Sequence, residues 1–154
     1  MKRRKRGRAG ARRRATASEE FLIAAARRAR LNAYAPYSKF RVGASVLTAD
    51  GQVFTGANVE NASYGLSHCA ERVAIHQAVA AGYRNLRIVA VVADGEEATM
   101  PCGACRQVMA EFGIRKIIVA TPHGRTRVRS LNQLLKEPFL PERILGNFRG
   151  GRRS

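Results

Sequence analysis

Residues 86–93 read Leu-Arg-Ile-Val-Ala-Val-Val-Ala, apolar at seven of eight positions. A strand of that composition has no polar face, so it must be covered on both sides. This requirement points to a layered fold, with helices above and below a sheet. Residues 116–120, Lys-Ile-Ile-Val-Ala, form a second such run. Helix signals alternate with these strands. Ser18 suits an N-cap with Glu19 and Glu20 in the first turn, and Phe21, Leu22, Ala25, Ala29 and Asn32 share about one face. The spacing predicts a helix over 19–34, stopped by Pro36. Strands are predicted over 41–47 and 52–55, joined by the hairpin signal Asp50-Gly51. A polar loop over 56–67 leads into a helix over 69–81, closed by Gly82. After the 94–100 loop, Pro101 opens a helix running to about Phe112, closed by Gly113. The turn Pro122-His123-Gly124 leads into a strand over 125–129, and a short helix follows over 131–135.

The order α-ββ-α-β-α-ββ-α predicts an α/β fold, a three-layer α/β/α sandwich with a five-stranded mixed sheet. Its middle alternation implies a mostly parallel sheet with hairpins at the edges. No internal repeat is visible.

Charge adds less than its size suggests. The 154 residues carry 28 Lys+Arg against 11 Asp+Glu, a net of +17. Nine of the basic residues fall in 1–17 and three in 149–154, leaving 16 against all 11 acids between them, a net of +5. The expected organisation is a disordered basic tail over 1–17, a folded domain over 18–148 and a basic tail over 149–154. Such tails suit a non-specific, salt-sensitive attraction to polyanions, or a solvated end with no dedicated role. The first tail has too few hydroxyls and no apolar face for a transit peptide. No apolar run approaches the roughly 18 residues of a membrane span, and 21–26 is too short for the core of a signal peptide. A membrane span, a collagen-like fibre and a disulfide-dense secreted knot are thereby set aside.

The three cysteines are the most informative residues. Cys69 opens one predicted helix, and Cys102 and Cys105 open the next as Pro-Cys-Gly-Ala-Cys. An odd count without a secretory signal argues for a reducing compartment, so a cytoplasmic location is expected. The Cys-x-x-Cys pair alone also fits a redox dithiol or buried apolar cysteines. With a third thiol at another helix start, it fits a metal. Helix N-termini favour thiolates, and three protein ligands are the open set of a catalytic zinc, which keeps one position for water. Glu71, two residues after Cys69, is placed to take a proton from metal-bound water. Arg72 follows, and its guanidinium can withdraw electron density from the sulfurs. This matches the zinc-deaminase arrangement of a ligand-x-Glu followed by Pro-Cys-x-x-Cys, with Cys69 where that pattern has His. His68 is one residue too early to be that ligand, and reads as structural or as a support to the ligands. Met100 and Met109 read as core or loop fillers.

These motifs, together with the run from Ala33 to Phe40 (Ala-Tyr-Ala-Pro-Tyr-Ser-Lys-Phe), Val42-Gly43-Ala44, and the run from Gly56 to Tyr64 (Gly-Ala-Asn-Val-Glu-Asn-Ala-Ser-Tyr), resemble the cytidine deaminase family, in its small homotetrameric zinc-dependent class. The likeness spans nearly all of 19–140. It implies hydrolytic deamination of cytidine and deoxycytidine to uridine and deoxyuridine with release of ammonia, as in pyrimidine salvage. It implies one Zn2+ per subunit held by Cys69, Cys102 and Cys105, attack at C4, and Glu71 moving the proton to N3 and then to the leaving amine. Phe40 would pack on the base and Ala70 would line the substrate site. Asn58 and Glu60 would bind the ribose 3′-hydroxyl, a donor and an acceptor for one sugar hydroxyl. Ala62 and Tyr64 would approach the ribose 5′ side from a neighbouring subunit, and Phe139 would close a neighbour's site. The chain departs from the family at Lys136, where Pro is frequent, at Ala57, where Cys is frequent, and at His68, where an aliphatic residue is commoner.

A polynucleotide-editing deaminase, a blasticidin-S-type nucleoside deaminase and a non-enzymatic zinc module are the competing readings. The short turn over 122–124 favours a free-nucleoside enzyme, because tRNA-type editors place a helix there. Glu71 argues against a purely structural zinc, which needs no proton shuttle.

Overall fold

Residues 86–93 do form the centre of the molecule. A computed structural model describes residues 17–145, so the predicted tail at 1–17, all but its last residue, and that at 149–154 lie outside the described residues. The elements are α1 (Glu19–Arg30), β1 (Val42–Thr48), β2 (Val53–Ala57), α2 (Ala70–Ala80), β3 (Leu86–Ala93), α3 (Gly103–Glu111), β4 (Lys116–Ala120), β5 (Thr126–Ser130), α4 (Leu131–Leu134) and α5 (Glu142–Leu145), with a 3-10 turn at Tyr64–Leu66. The five strands form one sheet in the order β2-β1-β3-β4-β5. β3 and β4 pair in parallel, and the other three pairings are antiparallel.

The expected mixed sheet is present, but the mostly parallel reading is corrected. Strand directions follow the helical crossovers, so β2, β3 and β4 all run the same way. β1, however, lies between β2 and β3, antiparallel to both. One strand inserted between two parallel neighbours removes a parallel pairing and creates two antiparallel ones.

Alternate side chains of the central strands serve opposite layers, as the period-two geometry requires. Val89, Val91, Ile117 and Val119 join the core formed with Ala70, Ala74, Cys105 and Met109 of α2 and α3. Ala90 and Ile118 pack with Leu22, and Val92 and Ala120 pack with Ala26, both on α1. Each fully buried Val or Leu adds about 1.5–3 kcal/mol of hydrophobic stabilisation. α1 approaches β1 at backbone contact: a Cβ on Gly43 would fall 2.1 Å from the Ala26 carbonyl oxygen. The Ser45 hydroxyl, buried beneath the same helix, donates to the Leu22 carbonyl at 2.7 Å.

α1 ends at Arg30, four residues before the predicted end. Its last N–H groups turn back in tight turns at Asn32 and Ala33, and the Tyr34 N–H then donates to the Asn58 carbonyl. The Tyr34 backbone thus pairs with the 58–60 segment, and the chain leaves the helix before Pro36 is reached. No helix among the described residues is long and apolar enough to cross a membrane.

Candidate active site

Two helix starts converge at one end of the sheet. Cys69 is the N-cap of α2 and Cys102 the N-cap of α3, both in extended backbone, and neither side chain caps its own helix. Cys105 lies one turn into α3 and is fully buried. The three sulfurs lie within 4.8 Å of one another, and Cys69 Sγ is 3.9 Å from Cys102 Sγ. A tetrahedral zinc with Zn–S bonds of about 2.3 Å needs sulfurs about 3.8 Å apart, so the donor set fits that ion. Among the described residues no fourth His, Cys, Asp or Glu joins the group. The set is therefore the open one of a catalytic zinc.

The charges around the sulfurs are unequal. A hydrogen bond from the Cys105 thiol holds Cys69 down at about 5, and Arg72 adds to that effect. Arg72 Nη2 lies 3.8 Å from Cys69 Sγ and donates to the Ser67 carbonyl at 3.1 Å. Cys105 is pushed up by its hydrogen bond to Cys69, by burial and by nearby negative charge. Three sulfurs this close cannot all ionise without a cation among them. Burial pushes the Glu71 carboxyl up to about 7, with the Cys69 charge adding to it, against the pull of its backbone N–H, Cys105 and Arg72. Glu71 is 5% exposed on the first turn of α2.

A cavity of about 310 Å³ opens over this cluster. Of the residues expected at the substrate, it brings together Phe40, Asn58, Glu60 and Ala70, with Glu71, Cys69 and Cys102. A second hollow of about 400 Å³ shares Ser38, Glu60 and Ser67 with it and adds Tyr37 and Tyr64. The two tyrosine rings meet edge to face at 5.6 Å. Ala62 and Phe139 line neither hollow.

Asn58 and Glu60 also hold the wall of the cavity. Asn58 Oδ1 accepts from the Val42 N–H at 2.8 Å, and its Nδ2 donates to the Phe40 carbonyl at 2.9 Å. Glu60 accepts from the N–H groups of Tyr37 and Ser38 at 2.9 and 3.2 Å, and from the Ser38 hydroxyl. That hydroxyl contact is the largest cause of a Glu60 pKa below the usual carboxylate range. Lys39 between them adopts φ 59°, a left-handed conformation that a non-glycine residue keeps only where its surroundings fix it. Asp94, at the end of β3, completes the frame by pairing with Arg30 and accepting from the Arg41 N–H at 3.0 Å.

Sequence reasoning missed this Arg30–Asp94 clamp, because no local pattern links positions 64 residues apart. It placed Ser38 only within a motif, without its grip on Glu60. His68 is outside the ligand group, as its spacing indicated, yet it lines the cavity, with its Nδ1 2.8 Å from the Leu66 carbonyl. Met109 is a core filler as expected, and Met100, in the loop before α3, packs against the same core while also lining the cavity.

Comparison with known proteins agrees with this geometry. Residues 16–121 match the family described as the cytidine and deoxycytidylate deaminase zinc-binding region. A cytidine deaminase of Halalkalibacterium halodurans is 46% identical over 125 residues, covering 80% of this chain and 95% of that protein. A cytidine deaminase of Sporosarcina psychrophila is 45% identical over 125 residues, covering 80% and 92%. The crystal structure of cytidine deaminase from Burkholderia pseudomallei superposes with a TM-score of 0.76 at 50% identity, covering 80% of this chain and all of that one. With its zinc triad of Cys69, Cys102 and Cys105, its five-stranded mixed sheet and this extent of likeness, the chain belongs to the zinc-binding cytidine deaminase family.

Proposed function

We propose that this protein hydrolyses cytidine and deoxycytidine to uridine and deoxyuridine, releasing ammonia. The observation that carries the reading is a buried carboxyl, Glu71, beside a three-sulfur cluster on the wall of a cavity of nucleoside size. Zinc, when bound, supplies a Lewis acid that makes water a nucleophile at neutral pH.

Glu71 accepts a proton from the water that adds at C4 and returns it to the pyrimidine N3. A second proton passes by the same carboxyl to the leaving amine, so that water and cytidine become uridine and ammonia. A carboxyl raised toward neutrality is suited to both directions of transfer. Phe40 packs on the base and Ala70 lines the pocket beside it. Asn58 keeps one amide hydrogen after serving Phe40, and Glu60 keeps acceptor capacity, so the pair can hold the ribose 3′-hydroxyl. Arg72 draws electron density from the sulfurs.

The functional unit in this reading is a cytoplasmic homotetramer with shared sites. Ala62, Tyr64 and Phe139 then serve a neighbour, which accords with Ala62 and Phe139 lying outside their own chain's cavity. The domain over 18–148 carries the reaction, and the basic tails over 1–17 and 149–154 make at most loose polyanion contacts.

The test is loss of cytidine absorbance on adding the protein, with single-stranded DNA and RNA as parallel substrates. Turnover of the free nucleoside is expected. Deamination only within polynucleotides would favour an editing enzyme instead. The antiparallel β4–β5 pairing, closed by the short turn after β4, supports the nucleoside reading.

A further inference from the structure

We infer that Gln107 is a positioning residue that aims Phe139 into the site of a second copy of this chain, so that each site's hold on its nucleoside depends on its neighbour's Gln107. The inference rests on the shared-site reading above and assigns it a mechanism.

Gln107 lies on α3 two residues after Cys105. Its side-chain amide meets the Phe139 backbone on both sides: Nε2 donates to the Phe139 carbonyl at 2.5 Å, and Oε1 accepts from the Phe139 N–H at 3.1 Å. One side chain thus satisfies both main-chain groups of one residue, as a neighbouring strand would. Arg106 fixes the segment's other end, with Nη1 donating to the Leu134 carbonyl at 3.1 Å and Nε to the Pro101 carbonyl at 2.7 Å. The described residues between α4 and α5 form no helix or strand, and beyond the packing of Leu135 on the core the segment is held by these two attachments to the metal-bearing helix. The departure at Lys136 falls between them.

The backbone of Phe139 is held, yet the residue is 60% exposed. It borders a cleft of about 280 Å³ with Gln107, Glu111 and Ile144, away from the metal cavity. A ring left bare on a fixed backbone has already given up the conformational freedom that binding would otherwise cost it. That is the condition of an interface anchor. In the shared-site reading its receiver is a second copy, and the same chain leaves Phe21, Leu31, Tyr34, Tyr64 and Leu66 exposed as further side chains that self-association could cover. Glutamine is required, because glutamate could accept from the Phe139 N–H but could not donate to its carbonyl.

The experiment is a double-mutant cycle on the full-length chain with Gln107→Ala, Phe139→Ala and both together, plus Gln107→Glu. It reads cytidine KM and kcat, zinc content, and the dissociation constant of the oligomer by light scattering across concentration. Gln107→Ala is expected to raise KM roughly 5- to 30-fold, the loss of two hydrogen bonds, with kcat within about twofold and zinc retained. Gln107→Glu should not rescue it, and adding Gln107→Ala to Phe139→Ala should change KM no further. Independent, multiplying effects would overturn the inference, as would an unchanged KM in either single variant or a joint loss of kcat and zinc. Should the wild type fail to turn over cytidine, the proposed function falls separately. The oligomer constant then decides, with equal and non-additive weakening expected and no weakening overturning the inference.

Discussion

Gly56 lies outside every metal motif, yet substituting it should damage the metal site more than a change between two zinc ligands. On β2, Gly56 presses on the first turn of α2. A Cβ there would fall 2.5 Å from the Ala74 nitrogen, 2.7 Å from the Ala70 oxygen and 2.9 Å from the Val73 Cβ. Two of these atoms form the helical hydrogen bond that closes the turn carrying Glu71, so no side-chain rotation relieves the contact. Restoring ordinary contact at about 3.4 Å requires α2 to retreat by about 0.9 Å. Overpacking of this kind costs about 1–3 kcal/mol, and rigid backbone neighbours put Gly56→Ala at the upper end. For a chain of this size that is a fall of about 6–12 °C in Tm. Zinc sites tolerate about 0.2 Å of ligand displacement, so a retreat carrying Cys69 should weaken zinc binding by tenfold or more. Gly103→Ala is the control. It stands between Cys102 and Cys105, but its Cβ meets nothing within 4 Å. Thermal melting of the zinc-loaded proteins and competition against a chromophoric chelator measure both quantities. Equal zinc affinity and Tm in Gly56→Ala and wild type, or equal damage from Gly103→Ala, would refute the reasoning.

Other changes separate binding, framing and metal retention. Asn58→Ala strips partners from the Val42 N–H and the Phe40 carbonyl, and should cost about 1–3 kcal/mol in chemical denaturation while raising KM for cytidine. Cys102→Ser alters an exposed ligand, so the chain should fold while elemental analysis finds little zinc. Asp94→Ala leaves the Arg30 side chain, 11% exposed, without its carboxylate and frees the Arg41 N–H. A loss of about 1–3 kcal/mol is expected in denaturant titration, moderated because Asp94 is partly solvated.

How far the chain could be read in advance depended on the range of each signal. The buried strands at 86–93 and 116–120 and the Asp50-Gly51 hairpin are written in consecutive residues, and all three formed where expected. Strand directions were equally legible, since each helical crossover returns the chain the same way. Adjacency was not, because nothing local places β1 between β2 and β3. The end of α1 was misjudged because a long-range pairing of Tyr34 with the 58–60 segment outweighs helix propensity there. At the site, the three cysteines and Glu71 announced themselves by spacing. The frame around Lys39, with Ser38, Glu60, Asn58 and Asp94 interlocking, joins residues from three stretches of sequence and became visible only in three dimensions.

The most direct test replaces one atom. Glu71→Gln preserves size and burial but removes the carboxylate, so zinc should remain at one per chain by elemental analysis while cytidine turnover falls by about 10²–10⁴. Turnover within a few-fold of wild type, with zinc still bound, would contradict the assignment of Glu71 as the proton carrier.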